Sequence, residues 1–462
     1  EIKFNYKNKV QISYEKILSN KNSLQKEKEL EKISHLIEYE DFKPYILDHL
    51  FNTQLYNSNP KAFLTMNRYL KAKKEWRIKN HLKSINIDFL RQQLFTGSLG
   101  NYIKAYEYYE AQKYGLSERK DAIFCMPLNA KITNNILFSY IKNIESIKII
   151  HNKDLSKKLY DLQDTPLDLP LGHGLEVNNN FIYSDFAYNY IIQKKHSLGK
   201  KLEHQFTLSK DHYEEGWLKL KKIGLTDKNW WVTIHARSGN SKNDGNTEFW
   251  REGNIKNFEK AIQYIKSLGG IIFRMGDNKM PKMKEENNVI DYAHSDLKSP
   301  LMDIFLGALS KFHLGSDSGY PVIPKMFGVP SMISETPSAP TYFALNDYDV
   351  WVPKLYIDKS TRELVKFEKA FNPPYSLIWF QVREKFKKMN IELVNNDADD
   401  ILAGAKLLYK ISNNNKIPPE DTDLQKKFKK AISNTGKNHH IPKLKAFGNI
   451  PDEFLQKYNK LL

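Results

Sequence analysis

The stretch WWVTIHARS, residues 230–238, predicts a buried strand that runs into a polar loop, because aromatic and β-branched residues favour strands. Side chains alternate along a strand, so His235 and Arg237 point to the same side of it. An arginine at the end of a strand can hold a diphosphate through two parallel hydrogen bonds, and a neighbouring histidine can orient it. We therefore predict that Arg237 binds a phosphorylated ligand and that His235 is catalytic. The alternative is a surface ion pair beside a histidine of the core.

Strand-like and helix-like segments alternate from residue 230 to residue 335. Asn254 is expected to begin one helix and Gly269 to end it, and Ser299 followed by Pro300 is expected to begin another. The later strand-like segments are IIFRMGD (271–277), VIDYA (289–293), KFHLGSDSG (311–319) and VPSMI (329–333). The alternation predicts a parallel sheet with helices on both faces. Ligands of such sheets bind beyond the carboxyl ends of the strands.

Polar residues fall where these predicted strands end. SDSG, residues 316–319, is expected to open a helix whose free N–H groups and dipole bind a phosphate; the alternative is an ordinary helix cap without a ligand. Arg274 either contacts a phosphate or a base, or pairs with Asp277 across a turn. Tyr292 either stacks on a base or packs in the core. The residues predicted to bind the ligand are Arg237, Arg251, Arg274, Asp277, Tyr292, Ser316, Asp317, Ser318 and Gly319.

Carboxylates that could act as a general base follow the first strand closely. The segment DGNTEFWRE, residues 244–252, supplies Asp244 and Glu248, and Asp244 is the base that we predict. The alternative is that these acids are ordinary loop residues. Further candidates for the base, earlier in the chain, are Asp168, His173 and Glu176.

Several motifs of other enzyme classes are absent from the sequence. It contains no phosphate-binding P-loop, no GxGxxG after a strand and no HExxH, which argues against nicotinamide, flavin and zinc-peptidase chemistry. The D-x-D patterns at 347–349 and 421–423 fall in a predicted loop and in the tail, where neither indicates a metal site. A single cysteine excludes an internal disulfide and a cysteine-rich zinc site. We therefore predict no metal and no cofactor.

The composition and length suit more than one α/β domain. Residues 1–118 are predicted to be a helical N-terminal region. Strand-like AIFCMP (122–127) and SIKII (146–150) flank a helix and begin a Rossmann-like domain, which we assign to residues 119–227. A second Rossmann-like domain spans 228–415. A basic tail, 416–462, is expected to be a mobile linker before a final helix at 452–461.

The formal charge of +17 is unevenly distributed. Basic and acidic residues nearly balance in 228–415, so the excess lies in the N-terminal half and the tail, which argues against a nucleic-acid groove. It fits peripheral contact with an anionic membrane or acceptor, or lysines that serve only solubility. No apolar run is long enough to span a bilayer. We expect a cytoplasmic protein, which in the first of these two cases would be peripheral to the inner membrane.

The combination of IHARS, Trp250-Arg251, FRMGD, VIDYA, MDIFLGALS and FHLGSDSG resembles a bacterial family of glycosyltransferases over residues 228–356. The HxR motif is more distantly similar to that of the O- and α1,6-fucosyltransferases, and the DSG segment to the donor half of lipopolysaccharide heptosyltransferases. The family has Tyr-Arg where this chain has Trp250-Arg251.

This resemblance implies a GT-B-like α/β fold, in which two Rossmann-type domains face a cleft, here with a helical N-terminal extension. It implies a metal-independent transfer of sugar from a nucleotide-sugar donor, with a GDP-sugar favoured, to a glycan or lipid-linked acceptor. The pathway would be capsule, surface-polysaccharide or lipopolysaccharide biosynthesis. Arg237 would hold the donor diphosphate, and Ser316 to Gly319 would bind its phosphates.

Three other functions fit the same pattern. The chain could be another nucleotide-sugar enzyme, such as an epimerase or a phosphorylase. It could bind a nucleotide or a glycan without catalysis. It could also bind RNA through its excess lysines, in which case binding would depend steeply on salt.

Overall fold

The computed structural model describes residues 9–57, 59–79, 87–91, 96–118, 121–125, 132–144, 147–149, 154–155, 174–178, 180–199, 206–237, 249–284, 286–373, 375, 388–436 and 444–462. In the first half, the helices are α1 (Lys9–Ser19), α2 (Ser23–Ile33), α3 (Lys43–Tyr56), α4 (Ala62–Lys79), α5 (Tyr102–Lys113), α6 (Asn135–Ile141), α7 (Ser184–Ser197) and α8 (Lys210–Lys221). The strands are β1 (Ile87–Arg91), β2 (Asp121–Cys125), β3 (Ile147–Ile149), β4 (Gly174–Val177) and β5 (Asn180–Tyr183).

The first sheet begins earlier in the chain than we predicted. The strands β1, β2 and β3 pair in that order and are all parallel, with α6 between the second and the third. The predicted strand–helix–strand start is therefore present. However, β1 lies inside the region that was predicted to be helical, residues 1–118, so this expectation is wrong for residues 87–91.

The second half contains a six-stranded parallel sheet. Its strands are β6 (Trp231–His235), β7 (Ile271–Arg274), β8 (Val289–Ile290), β9 (His313–Ser316), β10 (Ser331–Thr336) and β11 (Val350–Pro353). Their spatial order is β8-β7-β6-β9-β10-β11, and every neighbouring pair is parallel. The chain moves outward from β6 in one direction and then returns to place β9 on its other side. This is the strand order of a Rossmann-type, doubly wound sheet.

Local signals begin and end the helices around this sheet. Asn254 caps a 3-10 turn, Ile255–Phe258, which continues into α9 (Glu259–Ser267) and ends at Gly269 with a positive φ of 80°. Ser299 caps α10 (Pro300–Ala308) by accepting a hydrogen bond from the Met302 N–H. Both predicted starts are present. Two short helices follow, α11 (Val322–Met326) and α12 (Ala339–Phe343).

The remaining elements fold back on the second half. They are β12 (Leu355–Asp358), α13 (Phe367–Ala370), β13 (Ile391–Val394), α14 (Ala398–Asn413), α15 (Asp423–Ala431) and α16 (Asp452–Lys457). Phe428 of α15 is fully buried, and the Thr435 hydroxyl donates to the Phe371 carbonyl at 2.6 Å. The expected mobile linker is therefore wrong for residues 423–436, because apolar side chains spaced along α15 bury one face of it in the core.

The two halves are joined by hydrogen bonds between buried groups. The Asn134 side chain donates to the Pro300 carbonyl at 3.0 Å, and the Asn189 side chain donates to the Phe343 carbonyl at 2.9 Å. The start of α6 and helix α7, both in the first half, thus lie near the segments that follow β8 and β10 of the large sheet. No described helix is long and apolar enough to cross a membrane.

Helix α8 packs against α10 through a residue without a side chain. A Cβ atom on Gly216 would lie 2.0 Å from Cδ2 of Phe305, a buried ring that has little room to move. We expect Gly216→Ala to lower the free energy of unfolding by about 1–3 kcal/mol, because such overpacking strains the core. Chemical denaturation measures this change. Leu218→Ala, at an exposed position of the same helix, should change stability by less than about 0.5 kcal/mol.

Candidate functional site

The ends of two neighbouring strands, β6 and β9, carry the polar segments that the sequence singled out. The backbone N–H of Arg237 donates to the Ser316 hydroxyl at 2.7 Å, and the Ser318 hydroxyl lies 2.9 Å from Nδ1 of His235. The chain reverses its direction of travel across the sheet between these two strands. In doubly wound sheets, a crevice that can hold a ligand opens at this point.

Arg251 holds the segment that follows β9. Its Nε donates to the Asp317 carbonyl at 3.0 Å, and one terminal nitrogen lies 3.4 Å from the Asp317 carboxylate. Thr336 donates to the other oxygen of that carboxylate at 3.3 Å. The backbone N–H of Gly253 donates to the Arg237 carbonyl at 3.0 Å, so the two arginine segments are also tied together. Asp317 thus fixes the shape of the 316–319 segment.

A cavity of about 490 Å³ opens beside these residues. The second half contributes Arg237, Arg251, Asp317, Ser318, Gly319, Lys325 and Asp349 to its wall, and the first half contributes Ser98, Gly100, Lys104, Glu107, Ser184 and Asp185. The two walls meet at Gly319, where an added Cβ atom would lie 3.0 Å from the backbone nitrogen of Gly100. The cavity therefore lies between the two halves and is rich in charges of both signs.

The segment 316–319 does not open a helix as predicted. Residues 317–319 form a bend, and α11 begins only at Val322 and ends after five residues. Pro324 lies inside it and has no N–H to donate, which keeps the helix short. The expected contribution of a helix dipole is therefore wrong. Any anion here would be bound by side-chain cations and by the N–H groups of the bend.

Two predicted ligand-binding residues, Arg274 and Asp277, lie outside the cavity. Arg274 is 3% exposed, and its guanidinium is held by the Asp291 carboxylate at 3.1 Å and by the Pro281 carbonyl. Asp277 is exposed and accepts from the backbone of its own turn. Neither residue lines the cavity. The carboxylate paired with Arg274 is that of Asp291, not that of Asp277 as in the turn pair that we considered.

Tyr292 is fully buried, and its hydroxyl donates to the Asp303 carboxylate at 2.8 Å. The residue packs in the core, so no face of the ring is left for a base. The prediction that Tyr292 stacks on a nucleotide is therefore wrong, and the alternative of core packing is correct.

His235 is buried beneath the bend. Burial lowers the pKa of His235 to about 4, and the positive charges of Arg274 and Arg237 add to this effect. The ring is therefore neutral at pH 7 and suited to orient the Ser318 hydroxyl through Nδ1. His235 does not appear among the cavity-lining residues, so its predicted catalytic role would be indirect.

His313, at the start of β9, makes stability depend on pH. Burial lowers the pKa of His313 to about 3, well below its value in an unfolded chain. Between these two values only the unfolded chain binds the proton, so the free energy of unfolding falls as the pH falls, by about 1.4 kcal/mol per pH unit. We expect the stability of His313→Gln, measured by denaturation between about pH 6.5 and 4.5, to have a shallower slope by this amount. Equal slopes in the variant and the wild type would contradict this.

The remaining candidates for a general base are not in the cavity or cannot be placed. Asp244, Glu248, Asp168 and His173 lie outside the described residues. Glu176 lies in β4 and does not line the cavity. Among the described residues, no three His, Cys, Asp or Glu side chains are grouped as metal ligands.

Sequence reasoning missed the charged residues of the first half. Lys104 and Glu107 lie on α5, and Asp185 lies in the first turn of α7. In the sequence, these residues follow an ordinary helical pattern of alternating charges and aromatics. Only the packing of α5 and α7 against the large sheet brings them to the cavity, and no local signal marks them.

No protein-family model and no curated protein matches the chain. Among solved structures, a glycosyl transferase family 9 protein from Veillonella parvula is similar over 54% of this chain and 80% of its own, at 12% sequence identity and a TM-score of 0.32. A likeness this weak says nothing of this chain's activity. The assignment of the large sheet to the Rossmann type depends on its strand order alone.

Proposed function

We propose that the chain is a glycosyltransferase that moves a sugar from a nucleotide-sugar donor to an acceptor hydroxyl. The observation that carries this proposal is the meeting of Arg237 and the 316–319 bend beyond β6 and β9, where the sheet changes direction beside a large cavity. A cation suits a diphosphate at such a crevice, as do the backbone N–H groups of Ser318 and Gly319, which donate to no backbone carbonyl of the described residues.

Each residue of the site would then have a distinct role. The Arg237 guanidinium would bind the diphosphate and stabilise the charge that develops when it leaves. Arg251 would hold the bend through Asp317, so that the N–H groups of Ser318 and Gly319 face the phosphates. Lys325 and Lys104 line the same cavity and add positive charge. Protein cations would thus stabilise the negative charge of the leaving diphosphate, as a metal ion does in other transferases.

The finer expectations belong to this proposal too. The donor would be a nucleotide sugar, with a GDP-sugar favoured, and the acceptor a glycan or a lipid-linked saccharide of surface-polysaccharide or lipopolysaccharide synthesis. The charge of +17 suits peripheral contact with the anionic cytoplasmic face of a membrane.

Thermal-shift measurements with GDP-fucose, GDP-mannose, UDP-glucose, UDP-N-acetylglucosamine and ADP-heptose test the proposal. A donor at about a hundred times its Kd should stabilise the fold by about 2.7 kcal/mol. Release of the nucleoside diphosphate from that donor then tests for turnover. Binding without turnover, even with acceptor saccharides present, would indicate a nucleotide-binding protein, and no binding of any of the five would contradict the proposal.

A further inference from the structure

The wall of the cavity that belongs to the first half carries an acid with access to the ligand space. Asp185 lies in the first turn of α7 and lines the cavity together with Ser98, Gly100 and Lys104. The residue is partly exposed, whereas the neighbouring residues Ser184 and Phe186 are buried. The helix therefore presents this carboxylate to the cavity and packs its neighbours into the core.

A second carboxylate nearby, that of Glu107, already accepts a hydrogen bond within the protein. Glu107 of α5 is 4% exposed and accepts a hydrogen bond from the Ser184 hydroxyl at 2.5 Å. By contrast, Asp185 accepts no hydrogen bond from any residue that the structure describes. Of the two acids, Asp185 is the one whose oxygens remain available to a bound hydroxyl.

Charged groups surround Asp185 from both halves. Burial raises the pKa of Asp185 to about 6; the positive charges of Lys325 and Lys104 oppose this shift, and the negative charge of Asp317 adds to it. Because the charge of Asp317 acts on Asp185, this carboxylate lies near the 316–319 bend, to which we assign the diphosphate. Lys325 and Asp349 complete the charged wall on the other side. A carboxylate with this affinity for protons is well matched to general-base catalysis near neutral pH.

We propose that Asp185 is the catalytic base that takes the proton of the acceptor hydroxyl. This inference rests on the proposed function of the same site. In the step, the acceptor oxygen forms a bond to the anomeric carbon while the bond from that carbon to the diphosphate oxygen breaks. The electron pair of the broken bond leaves with the nucleoside diphosphate, and the proton moves to the Asp185 carboxylate.

The variant Asp185→Asn in the full chain tests this inference. With the donor that shifts the melting temperature of the wild type most, we expect its Kd to stay within about twofold. Turnover, measured as release of the nucleoside diphosphate, should fall by about 100- to 1,000-fold. A residue with a merely structural role would instead change the Kd and the melting temperature. Turnover of Asp185→Asn within about threefold of wild type would overturn the proposal.

The pH dependence of the wild-type enzyme gives an independent test, which holds even if Asp185→Asn does not fold. Because the pKa of Asp185 is raised, the base is protonated and inactive below about pH 6 and active above it. We expect kcat/KM to rise with pH through this range and Asp185→Glu to keep part of the activity. A flat profile between pH 5 and 7, roughly a unit on either side of this value, would overturn the proposal.

Asp211→Asn is the matched control. Asp211 occupies the first turn of α8, as Asp185 does in α7, but it is exposed and does not line the cavity. Its substitution should leave both binding and turnover unchanged. If the wild type binds no nucleotide sugar at all, the proposed function fails; if the wild type turns over the donor and Asp185→Asn does so equally well, only the assignment of the base fails.

Discussion

Replacing Arg237 with alanine is expected to weaken the binding of a nucleoside diphosphate sharply. The loss of charge-assisted hydrogen bonds to a phosphate should weaken binding by about 2–4 kcal/mol, or about 30- to 1,000-fold in Kd. Isothermal titration with GDP and UDP measures this change. The melting temperature of the unliganded variant should stay near that of wild type, because the backbone N–H of Arg237, which contacts Ser316, is retained.

Arg362→Ala provides the control for the removal of a positive charge. Arg362 is exposed and paired with Glu392 at 2.8 Å beside the antiparallel pair of strands β12 and β13. Such surface pairs contribute at most about 1 kcal/mol to stability, and this one is not part of the cavity. If both arginine variants bind the nucleotide as tightly as wild type does, the diphosphate does not bind at Arg237.

Replacing Phe428 with alanine is expected to destabilise the fold by about 3–5 kcal/mol. The ring is fully buried and contacts Phe367 edge-on, with ring centroids 5.1 Å apart, and it also packs against Trp351 and Phe371. Its removal would leave a cavity in the aromatic cluster that joins the tail to the large sheet. Denaturation in urea, followed by fluorescence and by circular dichroism, measures the change in unfolding free energy.

Lys427→Ala, at the exposed position next to it, should change stability by less than about 0.5 kcal/mol. If the tail were a mobile linker, the two substitutions would have the same small effect. A large loss for Phe428→Ala alone is therefore the result that distinguishes a folded tail from a mobile one.

The large sheet could be predicted because its signals are local. Apolar strands alternate with amphipathic helices from residue 230 onward, and caps such as Asn254 and Ser299 depend on side chains within a few residues. Parallel strands bring their carboxyl ends to one edge, so the alternation places Arg237 and Ser316 at the same edge of the sheet. The order of the strands, which identifies the crevice, required the structure.

Other features depend on long-range packing and were mispredicted or missed. From the sequence, we predicted that Tyr292, at the end of a short strand, stacks on a base. In the structure its hydroxyl donates to Asp303, eleven residues away, and the ring lies in the core. In the sequence, Asp185 is an ordinary acidic residue of a first helical turn. Only the approach of the first half, with Gly100 against Gly319, shows that it faces the cavity. A local pattern carries no information about which helix will lie across a cleft.

A crystal structure of the chain with the nucleoside diphosphate that binds it most tightly would test the central claim most directly. We expect the β-phosphate to lie within hydrogen-bond distance of the Arg237 guanidinium and of the N–H groups of Ser318 and Gly319, with Asp185 facing the open side of the diphosphate. A nucleotide bound elsewhere, with the cavity between α5, α7 and the 316–319 bend left empty, would contradict it.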